Sequence, residues 1–136
     1  MSSSMLSRYR VLVVDDEPAV LHLLTRSLEL GGFTVVPFSS GRAALDALKG
    51  AELFDVVVTD VRMPDVDGRA IAQAAVALPH MPAILMVTAH DDPLDIPAVP
   101  LLRKPFKVET LIETVRGLVA SRASATFSAQ VARRSS

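Results

Sequence analysis

Cysteine is absent from the 136 residues of this chain. Its absence excludes a disulfide framework and thiolate chemistry, and it favours a reducing, cytoplasmic location. Long hydrophobic runs are also missing. None approaches the length of a membrane span, and the first ten residues, MSSSMLSRYR, lack the apolar core of a signal peptide. The formal net charge of −1 provides no excess of positive charge for direct binding to DNA.

Apolar residues make up 50% of the sequence and charged residues 21%, which is typical of globular proteins. From the length we expect one folded domain and no second one. Five short apolar runs are continuous, as in strands that helices cover on both faces: residues 11–14, 33–38, 55–59, 83–87 and 100–104. Four other stretches have helical periodicity: residues 19–30, 41–50, 68–78 and 107–123. This alternation predicts an α/β protein with a parallel (βα)5 sheet.

Both ends of the chain are predicted to lie outside the folded domain. Residues 124–136, SATFSAQVARRSS, are small, polar and basic, so we expect a frayed or disordered tail, with a tether or docking arm as the alternative. The predicted boundaries are an N-terminal tail at 1–8, a folded domain at 9–121 and a flexible C-terminal tail at 122–136.

Four of the predicted strands end in residues that can bind a ligand. These residues are Asp15 and Asp16 after the first strand, Asp60 after the third, Thr88 after the fourth, and Lys104 at the end of the fifth. Each alone is more often a turn former or a helix cap. Parallel strands, however, place their carboxyl ends at one edge of the sheet, where α/β proteins bind ligands. We therefore predict a single site that contains all five residues.

Three carboxylates at one edge would repel one another, which raises their pKa values unless a cation binds them. Mg²⁺ is the expected cation, because it prefers oxygen ligands and commonly uses one or two carboxylates. Zinc is disfavoured, since cysteine is absent and the three histidines, His22, His80 and His90, are scattered along the sequence.

The motifs VLVVDDEP, VVVTDVRMPDVDG, VTAH and LLRKPF occur in the order and spacing of a known family. Over residues 9–121 the chain resembles the receiver domain of two-component response regulators. The resemblance implies a flavodoxin-like, doubly wound parallel sheet with strand order 2-1-3-4-5. It also implies a cis peptide bond between Lys104 and Pro105, and a signalling protein rather than an enzyme, apart from self-catalysed phosphorylation and dephosphorylation at Asp60.

The resemblance assigns the metal ligands residue by residue. Asp60 and Asp16 match direct ligands of Mg²⁺, and Asp15 matches a ligand that acts through water or lies directly beside the metal. The backbone carbonyl of Arg62 would complete the protein ligands.

The resemblance also assigns the residues that handle the phosphoryl group. Asp60 matches the phosphoacceptor, Thr88 the hydroxyl residue that contacts the phosphoryl group, and Lys104 the lysine that pairs with it. This assignment is chemically sound, because a carboxylate can act as a nucleophile. Phosphoryl transfer then depends mainly on in-line positioning and on neutralising the phosphoryl oxygens.

The chain departs from the family pattern between the fourth and fifth strands. Only residues 89–99, AHDDPLDIPAV, separate Thr88 from Pro100. A helical crossover needs about ten to twelve residues, and a proline in a helix interior costs about 3 kcal/mol. The family's fourth helix is therefore predicted to be missing or vestigial, and residues 90–99 to be irregular, mobile and ordered by phosphorylation. This pattern resembles receivers that stand alone or are associated with hybrid kinases.

We therefore predict a phosphorylatable receiver that accepts a phosphoryl group from a sensor histidine kinase or a histidine phosphotransfer protein. It would signal to an unknown downstream partner, with no output domain, no direct DNA binding and no membrane contact. One alternative is a Mg²⁺-dependent aspartyl-phosphate phosphatase, although such an enzyme typically has a second acid where this chain has Arg62. The other is a non-phosphorylated pseudo-receiver that acts as a binding module, although the site residues are all present.

Overall fold

The computed structural model of the protein describes residues 8–89 and 99–135. It contains the strands β1 (Arg10–Val14), β2 (Thr34–Phe38), β3 (Val56–Asp60), β4 (Ala83–Thr88) and β5 (Leu101–Arg103). They form one parallel sheet in the order β2-β1-β3-β4-β5. The flavodoxin-like strand order that the resemblance implies is therefore confirmed. Each of the five predicted strands is present within two residues of its expected ends.

The helices in the described ranges are α1 (Pro18–Leu30), α2 (Gly41–Leu48), α3 (Gly68–Val76) and α4 (Val108–Ser135). The N-terminus of α2 is capped by Ser40, whose hydroxyl oxygen accepts the N–H of Ala43 at 3.3 Å. The N-terminus of α3 is capped by Asp67, which accepts the N–H of Arg69 at 2.7 Å. These caps satisfy N–H groups that the first turn of a helix leaves without a helical partner.

Helices cover the sheet on both faces, and alternate residues of each strand enter two separate cores. On one face, α1 and α4 pack against residues such as Val11, Val13, Val58 and Leu85. On the other, α2 and α3 pack against residues such as Leu12, Val14, Val57 and Met86. This double covering explains why the strands are continuously apolar in sequence.

The edges of the described sheet are β2 and β5. β2 contains Pro37, which is exposed and has no N–H to donate. β5 has only three residues, which pair with the last part of β4. Beyond β5, the N–H of Lys104 still donates to the carbonyl of Thr88 at 2.8 Å, so the lysine is held beside the end of β4. The Lys104–Pro105 peptide bond is cis, as expected.

The last helix is longer than the sequence analysis predicts. We expected helix to residue 123 and a frayed or disordered tail after it, whereas α4 continues to Ser135. No glycine or proline follows Gly117, so nothing in the sequence interrupts the helix. At the edge of the sheet opposite the strand ends, the Arg122 guanidinium pairs with Asp55 at 2.9 Å and donates to the carbonyl of His80 at 2.9 Å.

Two other predictions fall mainly on residues outside the described ranges. The N-terminal tail at 1–8 is described only at residue 8, and the irregular segment at 90–99 only at residue 99. Among the helices described, none is both long and apolar enough to cross a membrane.

Candidate functional site

The strand ends bring three carboxylates together at one edge of the sheet. Asp15 and Asp16 follow β1 directly, and Asp60 is the last residue of β3. Each offers one oxygen, and these oxygens all lie within 4.8 Å of one another. Asp15 and Asp60 are buried, whereas Asp16 is exposed. Thr88, the last residue of β4, is also buried at this edge.

Backbone hydrogen bonds fix the position of Asp15 between two neighbouring segments. Its N–H donates to the carbonyl of Phe38 at the end of β2, at 3.2 Å. Its carboxylate oxygen Oδ1 accepts the N–H of Glu17 at 2.9 Å, immediately before α1 begins. This leaves Oδ2 of Asp15 for a partner within the site.

That partner is Lys104, whose side chain is 21% exposed. Its Nζ lies 3.3 Å from Oδ2 of Asp15 and 3.6 Å from Oδ2 of Asp60. Burial by itself would lower the pKa of Lys104, but attraction to Asp15 and Asp60 outweighs it, so the pKa is raised. Lys104 is therefore charged and lies between the two buried carboxylates.

Asp60 is electrostatically unfavourable in this arrangement despite the lysine. Burial raises its pKa, the negative charge of Asp15 raises it further, and Lys104 lowers it only in part. The N–H of Arg62 approaches Oδ1 of Asp60 at 3.4 Å, which is a long hydrogen bond. The three neighbouring carboxylates outnumber the single ammonium of Lys104, so the site can accept a further positive charge.

An open cavity of ≈ 150 Å³ lies in front of Asp60. Its walls are Glu17, Asp60, Arg62, Thr88, Ala89 and Lys104. It is small and all of its wall residues except Ala89 are charged or hydroxyl-bearing, so it suits an ion or a phosphoryl group rather than a large organic ligand.

The loop that follows Asp60 returns very close to the strand. The N–H of Gly68 donates to the carbonyl of Val61 at 2.8 Å. A Cβ atom added to Gly68 would lie 2.2 Å from the carbonyl oxygen of Asp60 and 3.0 Å from Cα of Val61. Only glycine fits at this position, because the atoms that a side chain would meet belong to backbone that cannot move aside easily. That backbone is the one that carries Asp60, the candidate nucleophile.

The carboxylate cluster is chemically suited to a hard divalent cation. It offers oxygen ligands of high charge density, and burial, which raises the pKa of Asp60, makes its ionised carboxylate costly without a cation beside it. Within the described ranges it is the one group of three or more acidic or histidine side chains close enough to share a metal.

Asp65, which lies in the loop after Asp60, is not among the site residues predicted from the sequence. Its carboxylate binds the N-terminus of α2, whose residues come 23 to 25 positions earlier in the chain. No local sequence pattern indicates this contact. Ser40 is an ordinary helix cap and Asp65 an ordinary turn residue, so neither residue type points to the other.

Comparisons with known proteins agree with this geometry. The family model described as "Response regulator receiver domain" matches residues 11–116. The C4-dicarboxylate transport transcriptional regulatory protein DctD of Rhizobium meliloti is 36% identical over 113 residues, which cover 78% of this chain and 24% of that protein. The response regulator MprA of Mycolicibacterium vanbaalenii is 38% identical over 116 residues, which cover 81% of this chain and 50% of that protein.

Solved structures give the same result. A crystal structure of a response regulator receiver protein from Sinorhizobium medicae has a TM-score of 0.77 and 31% identity, and the match covers 84% of this chain and 96% of that one. The present chain thus spans half or less of the length of the two curated relatives, but corresponds to nearly all of the solved receiver.

Proposed function

The chain belongs to the response regulator receiver domain family, and from this premise we propose that Asp60 accepts a phosphoryl group from a histidine of a sensor kinase or a phosphotransfer protein. Receiver domains are signalling modules of two-component systems. The observation that carries the proposal is the position of Asp60. It is a buried carboxylate at a strand end, it faces Lys104 and two other carboxylates, and it opens into a cavity.

We propose that Mg²⁺ binds at the three carboxylates, with Asp15, Asp16 and Asp60 as the acidic residues and the backbone carbonyl of Arg62 as a further ligand. Support comes from the close approach of the carboxylate oxygens and from the burial of Asp60, which raises its pKa and disfavours an ionised carboxylate without a cation. When bound, the ion would neutralise the carboxylates and the oxygens of the transferring phosphoryl group.

In the proposed reaction, a carboxylate oxygen of Asp60 attacks the phosphorus atom of the donor phosphohistidine. A P–O bond forms as the P–N bond breaks, and the donor histidine, which carries a proton on its other ring nitrogen, leaves as neutral imidazole. Lys104 would pair with a phosphoryl oxygen, since its Nζ already lies 3.6 Å from Asp60. The hydroxyl of Thr88 would donate a hydrogen bond to a second phosphoryl oxygen. Thr88 is placed for this contact because it lies at the end of β4, the strand next to Asp60.

The product, an aspartyl phosphate, would act as a signal rather than as a catalytic intermediate. We propose that a downstream partner distinguishes the phosphorylated protein from the free one, and that phosphorylation and hydrolysis at Asp60 are self-catalysed. The relatives DctD and MprA are named as regulatory proteins. For this chain we propose a cytoplasmic location, because cysteine is absent from it. We also propose no direct contact with DNA, because its net charge is −1.

Incubation with acetyl phosphate and Mg²⁺ tests this proposal by intact-mass spectrometry. We expect one added phosphoryl group per chain, with no continuous turnover of a generic phosphatase substrate such as p-nitrophenyl phosphate. Continuous turnover would instead support the phosphatase-like alternative, which Arg62 disfavours because that position would need an acid. Neither uptake nor turnover would support a pseudo-receiver that only binds.

Lys104→Ala should separate phosphoryl binding from metal binding. Removing a charged group that stabilises a transferring phosphoryl group should slow uptake by about 10² to 10³-fold. The affinity for Mg²⁺ should rise several-fold, because the ammonium that lies between Asp15 and Asp60 is a competing positive charge. Mass spectrometry of the uptake and calorimetric Mg²⁺ titration measure the two effects.

Lys107→Ala is the matched control for that variant. Lys107 is an exposed lysine three residues further along, so its removal changes the net charge equally but not the site. If Lys104→Ala behaved like Lys107→Ala in both measurements, Lys104 would be only a structural counter-ion.

A further inference from the structure

Asp65 forms a dense set of hydrogen bonds for an exposed residue. Its Oδ2 accepts the Ser40 hydroxyl at 2.8 Å and the N–H of Arg42 at 2.9 Å, and its Oδ1 accepts the N–H of Gly41 at 3.3 Å. The N–H of Arg42 and the Ser40 hydroxyl hold the pKa of Asp65 well below its usual range. The carboxylate is therefore ionised and placed at the positive end of α2.

Close packing supports the same contact. A Cβ atom on Gly41 would lie 2.7 Å from the carbonyl oxygen of Val66 and 2.9 Å from its Cβ. The first residue of α2 therefore packs so closely against the residue after Asp65 that a side chain there would meet Val66. The loop is attached to α2 both by charge-assisted hydrogen bonds and by shape.

The segment that Asp65 binds also reaches the other side of the candidate site. Phe38, two residues before Ser40, accepts the N–H of Asp15 at 3.2 Å. The stretch from the end of β2 to the start of α2 thus contacts Asp15 through Phe38 and the loop that carries Arg62 through Ser40. It is therefore a second link between the two segments proposed to supply metal ligands, which already pair directly through β1 and β3.

We propose that Asp65 is a positioning residue of the phosphorylation site. It ties the loop after Asp60 to the N-terminus of α2, and by doing so it fixes the loop from which the Arg62 carbonyl would bind Mg²⁺. This inference rests on the proposed function for its biological meaning. The metal titration that tests it does not depend on phosphorylation.

The expected effect is specific to metal binding. Loss of groups that orient a ligand commonly weakens metal affinity by about 10 to 100-fold, and we expect Asp65→Ala to lie near the lower end of that range. Phosphoryl uptake from acetyl phosphate should fall at limiting Mg²⁺ and return to the wild-type rate at saturating Mg²⁺. A residue that touched the phosphoryl group itself would not be rescued by added metal.

The test compares wild type, Asp65→Ala, Asp65→Asn and Asp46→Ala by calorimetric Mg²⁺ titration without any phosphoryl donor, followed by the uptake assay. Asp46 is an exposed carboxylate on α2, the helix that Asp65 contacts, so Asp46→Ala controls for the lost charge and should bind Mg²⁺ like wild type. Asp65→Asn keeps one acceptor oxygen, so it should be intermediate. The amide resonances of Gly41 and Arg42 should shift on Mg²⁺ binding in wild type and no longer in Asp65→Ala.

Two results would overturn the inference. One is a Mg²⁺ affinity of Asp65→Ala equal to that of Asp46→Ala, even with a lower melting temperature, because Asp65 would then only stabilise α2. The other is slow uptake that persists at saturating Mg²⁺. If wild type bound Mg²⁺ but took up no phosphoryl group, the proposed function would fail while the metal titration would still decide the role of Asp65.

Discussion

Asp60→Asn is expected to abolish phosphoryl uptake from acetyl phosphate in the presence of Mg²⁺. The carboxamide lacks the negative charge that makes a carboxylate oxygen nucleophilic, yet it has nearly the same shape, so the fold should be retained. Intact-mass spectrometry should show the unmodified mass for the variant under conditions where wild type is fully converted. Asp46→Asn, on the exposed face of α2, is the matched control and should be converted like wild type.

The same variant has a second expected effect, on stability. Burial raises the pKa of Asp60, so folding favours its protonated form. The corresponding stabilisation is complete below the ordinary pKa of 3.8 and is lost as the pH rises through the raised pKa. In metal-free buffer near neutral pH, we therefore expect Asp60→Asn to melt a few degrees above wild type. An undiminished phosphoryl adduct in the variant, or a lower melting temperature, would contradict this account.

Gly68→Ala should damage both the fold and the site. The added Cβ would lie 2.2 Å from the carbonyl oxygen of Asp60, and backbone on both sides leaves little room for adjustment. Overpacking of this kind costs about 3 kcal/mol, which lowers the melting temperature by roughly 10 °C. Because the displaced backbone belongs to Asp60 itself, phosphoryl uptake should also fall in the folded fraction. Thermal unfolding followed by circular dichroism, together with the mass assay, measures both.

Gly117→Ala provides the comparison for that variant. Gly117 lies within α4, and nothing surrounds the position that its Cβ would occupy. Alanine is the better helix former by about 1 kcal/mol, so this change should leave the melting temperature equal or higher. Should Gly68→Ala unfold at the same temperature as Gly117→Ala, the close approach of Gly68 to Asp60 would not be a constraint on the fold.

The sheet and the convergence of the strand ends could be predicted because they depend on local and repetitive signals. A parallel sheet covered on both faces requires continuous apolar runs, and the carboxyl ends of its strands share one edge. The location of Asp60 and Thr88 at that edge could therefore be predicted. The caps at Ser40 and Asp67 follow from residue types that accept helix N–H groups. The proposed roles of Asp60 and Thr88 in phosphoryl transfer, and of Asp60 in metal binding, stay predictions.

Contacts between distant segments could not be predicted in this way. Lys104 and Asp15 are 89 positions apart, and although both were predicted to lie in one site, the ion pair between them was not predicted. Asp65 and Ser40 are 25 positions apart, and each is an ordinary turn residue. The predicted end of α4 at residue 123 was wrong for a different reason. A small, polar composition suggested a frayed tail, whereas the lack of glycine and proline allows a helix to continue.

The edges of the sheet have a consequence for assembly. A strand at an edge has free N–H and carbonyl groups and can recruit a strand from another molecule, which is a common origin of aggregation. On β2, Pro37 removes one donor, and β5 offers only three residues. Neither described edge is suited to continuing the sheet into a second molecule. Association of this protein with a partner, or with another copy of itself, should therefore use helix and loop surfaces rather than β-strand addition.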